Sequence, residues 1–151
     1  MNGCNNCQNY KKSTFVATGF SEVVPANGTL TFGTSQRITG NAITMGTNNR
    51  SINLNRAGLY QISFCASAEG ANDATAVSFQ LNRDGVAITD GFATFTPATA
   101  AGNIENVGFT TVVEVDNTTV NTGKTFIPIT ITNTGDQATI SFSQICVIKI
   151  A

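Results

Sequence analysis

Histidine and tryptophan are both missing from this 151-residue sequence, proline occurs three times, and charged residues make up only 11% of it. Without histidine there is no Ser-His-Asp or Cys-His machinery and no imidazole to hold a metal. Without tryptophan, and with Tyr10 and Tyr60 as the only tyrosines, a stacking platform for sugar rings is poorly supplied. Eight Lys and Arg against nine Asp and Glu give a formal net charge of −1, which offers no basic field to nucleic acid and no polybasic stripe to an anionic membrane. Long hydrophobic runs are lacking too. Stretches such as Ile145-Cys146-Val147-Ile148 are far shorter than a bilayer span. Residues 1–13 are polar and contain no apolar signal-peptide core, so the expectation is synthesis in the cytoplasm without a classical export signal.

What fills the gap left by charge is hydroxyl and amide: Thr, Asn, Ser and Gly are abundant, and the polar surface must be built from them. The length suits one domain with a core of its own. The nine carboxylates (Glu22, Glu69, Asp73, Asp84, Asp90, Glu105, Glu114, Asp116 and Asp136) are scattered, and several stand beside Gly or Asn, where a short acceptor serves a turn. The sequence therefore argues against an enzyme and calls for no cofactor. Cys4 and Cys7 form a Cys-Asn-Asn-Cys pair, half of a zinc site with no second half in the chain. They read as exposed thiols on a tail, or as cross-links or shared metal ligands between subunits. Cys65 and Cys146 lie in β-patterned segments and read as small, reduced, buried hydrophobes.

Two regions are expected. Residues 1–13 form a flexible polar leader containing Cys4, Cys7 and Tyr10, not needed for folding, and residues 14–151 form the domain. From Thr14 onward the pattern has period two, and no capped segment holds a helical period. The chain is all-β. Strands are expected at 14–20, 29–32, 42–45, 51–54, 58–68, 75–82, 86–89, 103–115, 125–132 and 138–150, with Asp84-Gly85 making a tight hairpin turn. About ten short strands make a sandwich or barrel.

Two strands carry the most information. In Gly58-Leu59-Tyr60-Gln61-Ile62-Ser63-Phe64-Cys65-Ala66, alternation sends Tyr60, Ile62 and Phe64 to a core and Gln61, Ser63 and Cys65 to the other face. In the last strand, Cys146, Ile148 and Ile150 fall on one side, Ile145, Val147 and Lys149 on the other, and both sides are largely apolar. Such a strand needs cover on both faces, and a second subunit is the expected source.

Arg56-Ala57-Gly58-Leu59-Tyr60-Gln61-Ile62-Ser63-Phe64 resembles the Gly-x-Tyr strand of the tumour-necrosis-factor (TNF) and complement-type trimeric jelly rolls. The segment Val77 to Val86, a strand followed by a turn and a second strand, and the ending Ser141 to Ala151 are similar to the same domains. The nearest likeness is to the heads of bacterial spore-surface collagen-like glycoproteins and similar phage proteins, although residues 1–13 carry no collagen-like Gly-x-Thr repeat. The resemblance implies a homotrimeric jelly-roll sandwich in which Gln61, Ser63, Cys65, Ile145, Val147 and Lys149 face the threefold axis. It likewise implies that Tyr60, Ile62, Phe64, Cys146, Ile148 and Ile150 fill each subunit's core. Some members of the family hold calcium near the trimer apex, but the acidic residues nearest loop ends, Glu69, Asp73 and Asp84, match no dedicated calcium loop, so no metal is expected.

The expected function follows from that resemblance. It is a non-enzymatic, surface-displayed head, a phage virion decoration or head-fibre protein mounted on a capsid or other particle protein through the leader. The alternatives are a spore-surface protein and a module binding glycans or a host-cell surface through loops such as 47–50 and 117–119.

Overall fold

A computed structural model describes residues 13–33, 35–72, 75–96, 104–116 and 126–151. Ten strands appear in chain order: β1 (Thr14–Val24), β2 (Ser35–Thr39), β3 (Ile43–Met45), β4 (Ile52–Leu54), β5 (Gly58–Gly70), β6 (Val77–Arg83), β7 (Val86–Phe95), β8 (Ile104–Val115), β9 (Ile127–Asn133) and β10 (Ala138–Lys149). They form two five-stranded sheets, β2-β1-β10-β5-β8 and β3-β4-β9-β6-β7, with antiparallel pairing throughout. This is a jelly-roll sandwich. Among the described residues no helix is long and apolar enough to cross a membrane.

The alternation of β-branched and aromatic residues with Ser, Thr and Gln explains the strands, since each sheet buries one face against the other. The first sheet contributes Phe15, Ala17, Tyr60, Ile62, Phe64, Val113, Ile145 and Val147 to the core. The second contributes Ile43, Ile52, Leu54, Val77, Phe79, Leu81, Ile127, Ile129 and Ile131. Phe64 bridges the layers, with its ring centroid 5.7 Å from Phe79 in an edge contact and 5.6 Å from Phe109. The hairpin between β6 and β7 turns on Asp84 and Gly85, whose φ values of 51° and 80° are the positive pair that this turn requires.

Asn133 ties the end of β9 to the β1 exit. Its side-chain amide donates to the carbonyls of Val24 and Asp136, its side-chain oxygen accepts the Gly135 N–H, and the residue is fully buried. Gly58 opens β5 at φ 144°, and a Cβ there would meet the Ala151 carbonyl. The Leu59 N–H donates to that same carbonyl at 3.0 Å, so the chain end packs where the glycine leaves room.

Three local expectations differ. Residues 29–32 make a single bridge, Thr29 to Thr132, and not a strand, although Leu30 and Phe32 are buried. The polar edge strand β2 was not anticipated, and β7 runs on to Phe95, past the expected end at residue 89. The largest difference concerns β10. Its register pairs Lys149 with Tyr60, Val147 with Ile62 and Ile145 with Phe64. Ile145 and Val147 are therefore core residues, while Cys146 and Ile148 lie opposite Ser63 and Gln61 on the other face. The assignment of β10's faces is thus reversed from the expected one. Apolar residues on both faces give alternation no sign, and only pairing with β5 decides which set points inward. Lys149 lies on the core side at the sandwich's end, its ammonium 6.0 Å from the Tyr60 ring centroid, and Ile150 is exposed beyond the strand.

Candidate functional site

The outer face of the first sheet is where the sequence placed interaction, and it is built row by row across four strands. Thr14, Ile148, Gln61 and Val112 form one row; Val16, Cys146, Ser63 and Thr110 the next; Thr18, Gln144, Cys65 and Gly108 the third; Phe20, Phe142, Ser67 and Asn106 the fourth. Gln61, Ser63 and Cys65 thus share a face with Cys146 and Ile148.

The polar groups of this face are knitted within it. Ser63 Oγ and Thr110 Oγ1 are 3.1 Å apart, and Ser67 Oγ donates to Asn106 Oδ1 at 2.6 Å. Gln144 Oε1 is buried yet accepts no hydrogen bond from the described residues. A buried carbonyl oxygen of that kind costs free energy unless something else donates to it. Apolar groups complete the surface: Phe20 and Phe142 meet edge to face at 5.7 Å, with Phe20 largely exposed, and Val112 and Ile104 are exposed along the β8 edge.

The middle of the face is not exposed. Ile148 is 3% and Cys146 2% accessible, although both point away from the core. Cys65 and Cys146 are both disulfide-bonded, which corrects the expectation of reduced thiols. The leader residues Cys4, Cys7 and Tyr10 lie outside the described residues. Ser13, placed in the leader by composition, accepts the Lys149 N–H through its carbonyl at 3.0 Å and the Ala42 N–H through its hydroxyl at 3.4 Å.

Chemistry elsewhere is sparse. Among the described residues no group of three or more His, Cys, Asp or Glu is placed to hold a metal. Glu22 beside the Gly19–Glu22 cleft receives the Thr31 N–H on both carboxylate oxygens, at 3.2 and 3.1 Å. Tyr60 is a titratable group pushed clearly from its ordinary value. Burial raises its phenol above 10.0, and its hydroxyl donates to the Arg56 carbonyl at 2.6 Å. Residues 47–49 form a short 3-10 turn, whereas 117–119 and Asp73 lie outside the described residues.

No protein-family model matches the chain, and no curated protein matches it in sequence. Solved structures do match in fold. An Eiger TNF from S. frugiperda superposes with a TM-score of 0.68 at 11% identity, covering 93% of this chain and 92% of that one. Murine APRIL at pH 5.0 gives 0.61 at 9% identity, over 92% and 99% of the two chains. The PRD1 vertex protein P5 gives 0.55 at 13% identity, over 93% and 98%. The chain has the TNF-like jelly-roll fold, and at these identities the likeness speaks to fold alone.

Proposed function

We propose that the protein is a non-enzymatic, homotrimeric jelly-roll head displayed on a particle surface, a virion decoration or head-fibre protein made in the host cytoplasm. The observation that carries this is the outer face of the first sheet, with a buried apolar middle, a buried unsatisfied amide oxygen and exposed Phe20, Val112 and Ile104 around it. A single sandwich has no further layer of its own for that rim, and three copies packed around the sheet supply one. The likeness to a vertex protein supports a particle setting, and the trimeric jelly rolls that the Gly58-Leu59-Tyr60 strand resembles support the symmetry. Residues of the N-terminal leader mount the head on a capsid or other particle protein.

The outer-face set is Gln61, Ser63, Cys65, Cys146 and Ile148, with Ile145, Val147 and Lys149 withdrawn from it by the observed register, and the threefold contacts fall on the exposed rim of Phe20, Val112 and Ile104 around it. Electron microscopy of native particles, with antibody against this protein, tests the setting: label at regular positions on capsids supports it. Label confined to spores, or protein found only free of particles, overturns it.

A further inference from the structure

We infer that Cys65 and Cys146 are the anchor points for the chain's own N-terminal cysteines, Cys4 and Cys7 taking one each, so that the leader is fastened by two disulfides across the outer face of the first sheet. The inference stands on the disulfides and burial of one subunit and does not rest on the trimer.

Both cysteines are disulfide-bonded, and the register speaks against their bonding each other. Cys65 stands opposite Gln144 and Cys146 opposite Ser63, so the two are diagonal neighbours on adjacent strands. Diagonal Cα atoms are roughly 7–8 Å apart. A disulfide holds its Cα atoms at roughly 4.4–6.8 Å. The sequence contains four cysteines, which leaves Cys4 and Cys7 as the partners within the chain.

Burial points the same way independently. Ile148 and Cys146 face outward and are nevertheless 3% and 2% accessible in a single chain. The two sheets use all ten described strands on either side of the core, so none of them is left to lie over this face.

The reach is adequate. Ser13 is held by Lys149, next to Ile148, at the end of the face. Cys7 stands six positions before it, a span of up to roughly 20 Å in extended chain. Cys146 lies two residues from Ile148 along β10, roughly 7 Å away. Cys4 and Cys7, three residues apart, extend to roughly 10 Å at most, which covers the diagonal between their targets. Gly108, opposite Cys65, carries no side chain to obstruct the sulfur from the β8 side.

Each bond joins two thiol sulfurs and gives up two protons and two electrons. A small-molecule disulfide such as oxidised glutathione accepts them and leaves as two thiols, so a chain made reduced in the cytoplasm completes the fastening once it meets an oxidising medium.

Tryptic mapping of the oxidised full-length chain, with free thiols alkylated first, is decisive because Cys4 and Cys7 share one peptide, residues 1–11, while Cys65 falls in 57–83 and Cys146 in 125–149. The expected product is a single three-peptide species, four hydrogens lighter than the sum of its parts, that separates into three on reduction. A Cys65–Cys146 two-peptide species, a Cys4–Cys7 ring, or alkylated cysteines overturns the inference. Covalent dimers or trimers on a non-reducing gel also overturn it, since they show the bonds to run between subunits. In a second measurement, trypsin acting on the native oxidised protein at Lys11 or Lys12 leaves residues 1–11 attached until reductant is added. Their immediate loss contradicts the fastening.

Discussion

Strands β9 and β10 run through the middles of the two sheets and are similarly apolar, yet they are buried differently. Along Ile127–Asn133 accessibility alternates strictly, with Ile127, Ile129 and Ile131 buried and Pro128, Thr130 and Thr132 half-buried between them. Along β10 the four residues Ile145 to Ile148 are all buried. A strand with one wet face announces its inward side by composition. One with no wet face does not, and its second cover has to come from beyond the two-sheet sandwich. In a protein with so little charge, that contrast distinguishes the two sheets more clearly than any charged cluster.

The sharpest way to break the contrast is to place a charge in each strand. Val147→Asp puts a carboxylate into the core, and because an unpaired buried ion costs several kcal/mol the domain is expected to lose most of its stability. Thr132→Asp, on the half-buried face of β9, is expected to change the denaturation midpoint little. Equal effects in urea unfolding would show that the inward set of β10 is misassigned.

Next in size is Phe64→Ala, which removes the ring bridging Phe79 and Phe109 and is expected to cost about 3–5 kcal/mol. Ser63→Ala, one residue away on the outer face, gives up a single hydroxyl contact to Thr110 and is expected to cost about 0.5–1.5 kcal/mol. Calorimetry of the pair checks the ordering.

Asn133→Ala comes between those two. It strips hydrogen bonds from the Val24 and Asp136 carbonyls and the Gly135 N–H in a fully buried corner, for an expected loss of about 1–3 kcal/mol.

The smallest effect is a pH dependence. Burial raises the Tyr60 phenol above 10.0 in the folded protein, so the unfolded chain ionises first as the medium becomes alkaline. Stability from this group is complete below pH 10.0, and it falls as pH rises from there through the folded-state value. Tyrosinate absorbance of Tyr10→Phe, which leaves Tyr60 as the only tyrosine, is expected to rise later in folded protein than in urea.

The same contrast explains what could be read without the structure. Tyr60, Ile62 and Phe64 alternate with Gln61, Ser63 and Cys65, so the polar partners give the face of β5 its sign. The Asp84-Gly85 turn was legible because few residue pairs accept two positive φ values. β2 was not, since Ser35-Gln36-Arg37-Ile38-Thr39 is an edge strand of polar residues whose place depends on β1. Leu30 and Phe32 alternate with Thr29 and Thr31 as a strand would, but they reach the core from a segment that makes one bridge. Asn133 carried no signal, because an asparagine before Thr-Gly-Asp reads as an ordinary turn residue. The bonding of Cys65 and Cys146 was hidden for a different reason: a cysteine in an apolar strand suits a buried thiol as well as a bridge.

The central claim is that the outer face of the first sheet is a covered face whose apolar rim joins three subunits. Sedimentation equilibrium of the oxidised full-length protein at micromolar concentration tests it most directly, with Val112→Asp as the companion variant. The account predicts one species at three times 15.8 kDa for the native chain, and partial or complete dissociation of the folded variant. A native chain that sediments as a single 15.8 kDa species contradicts it.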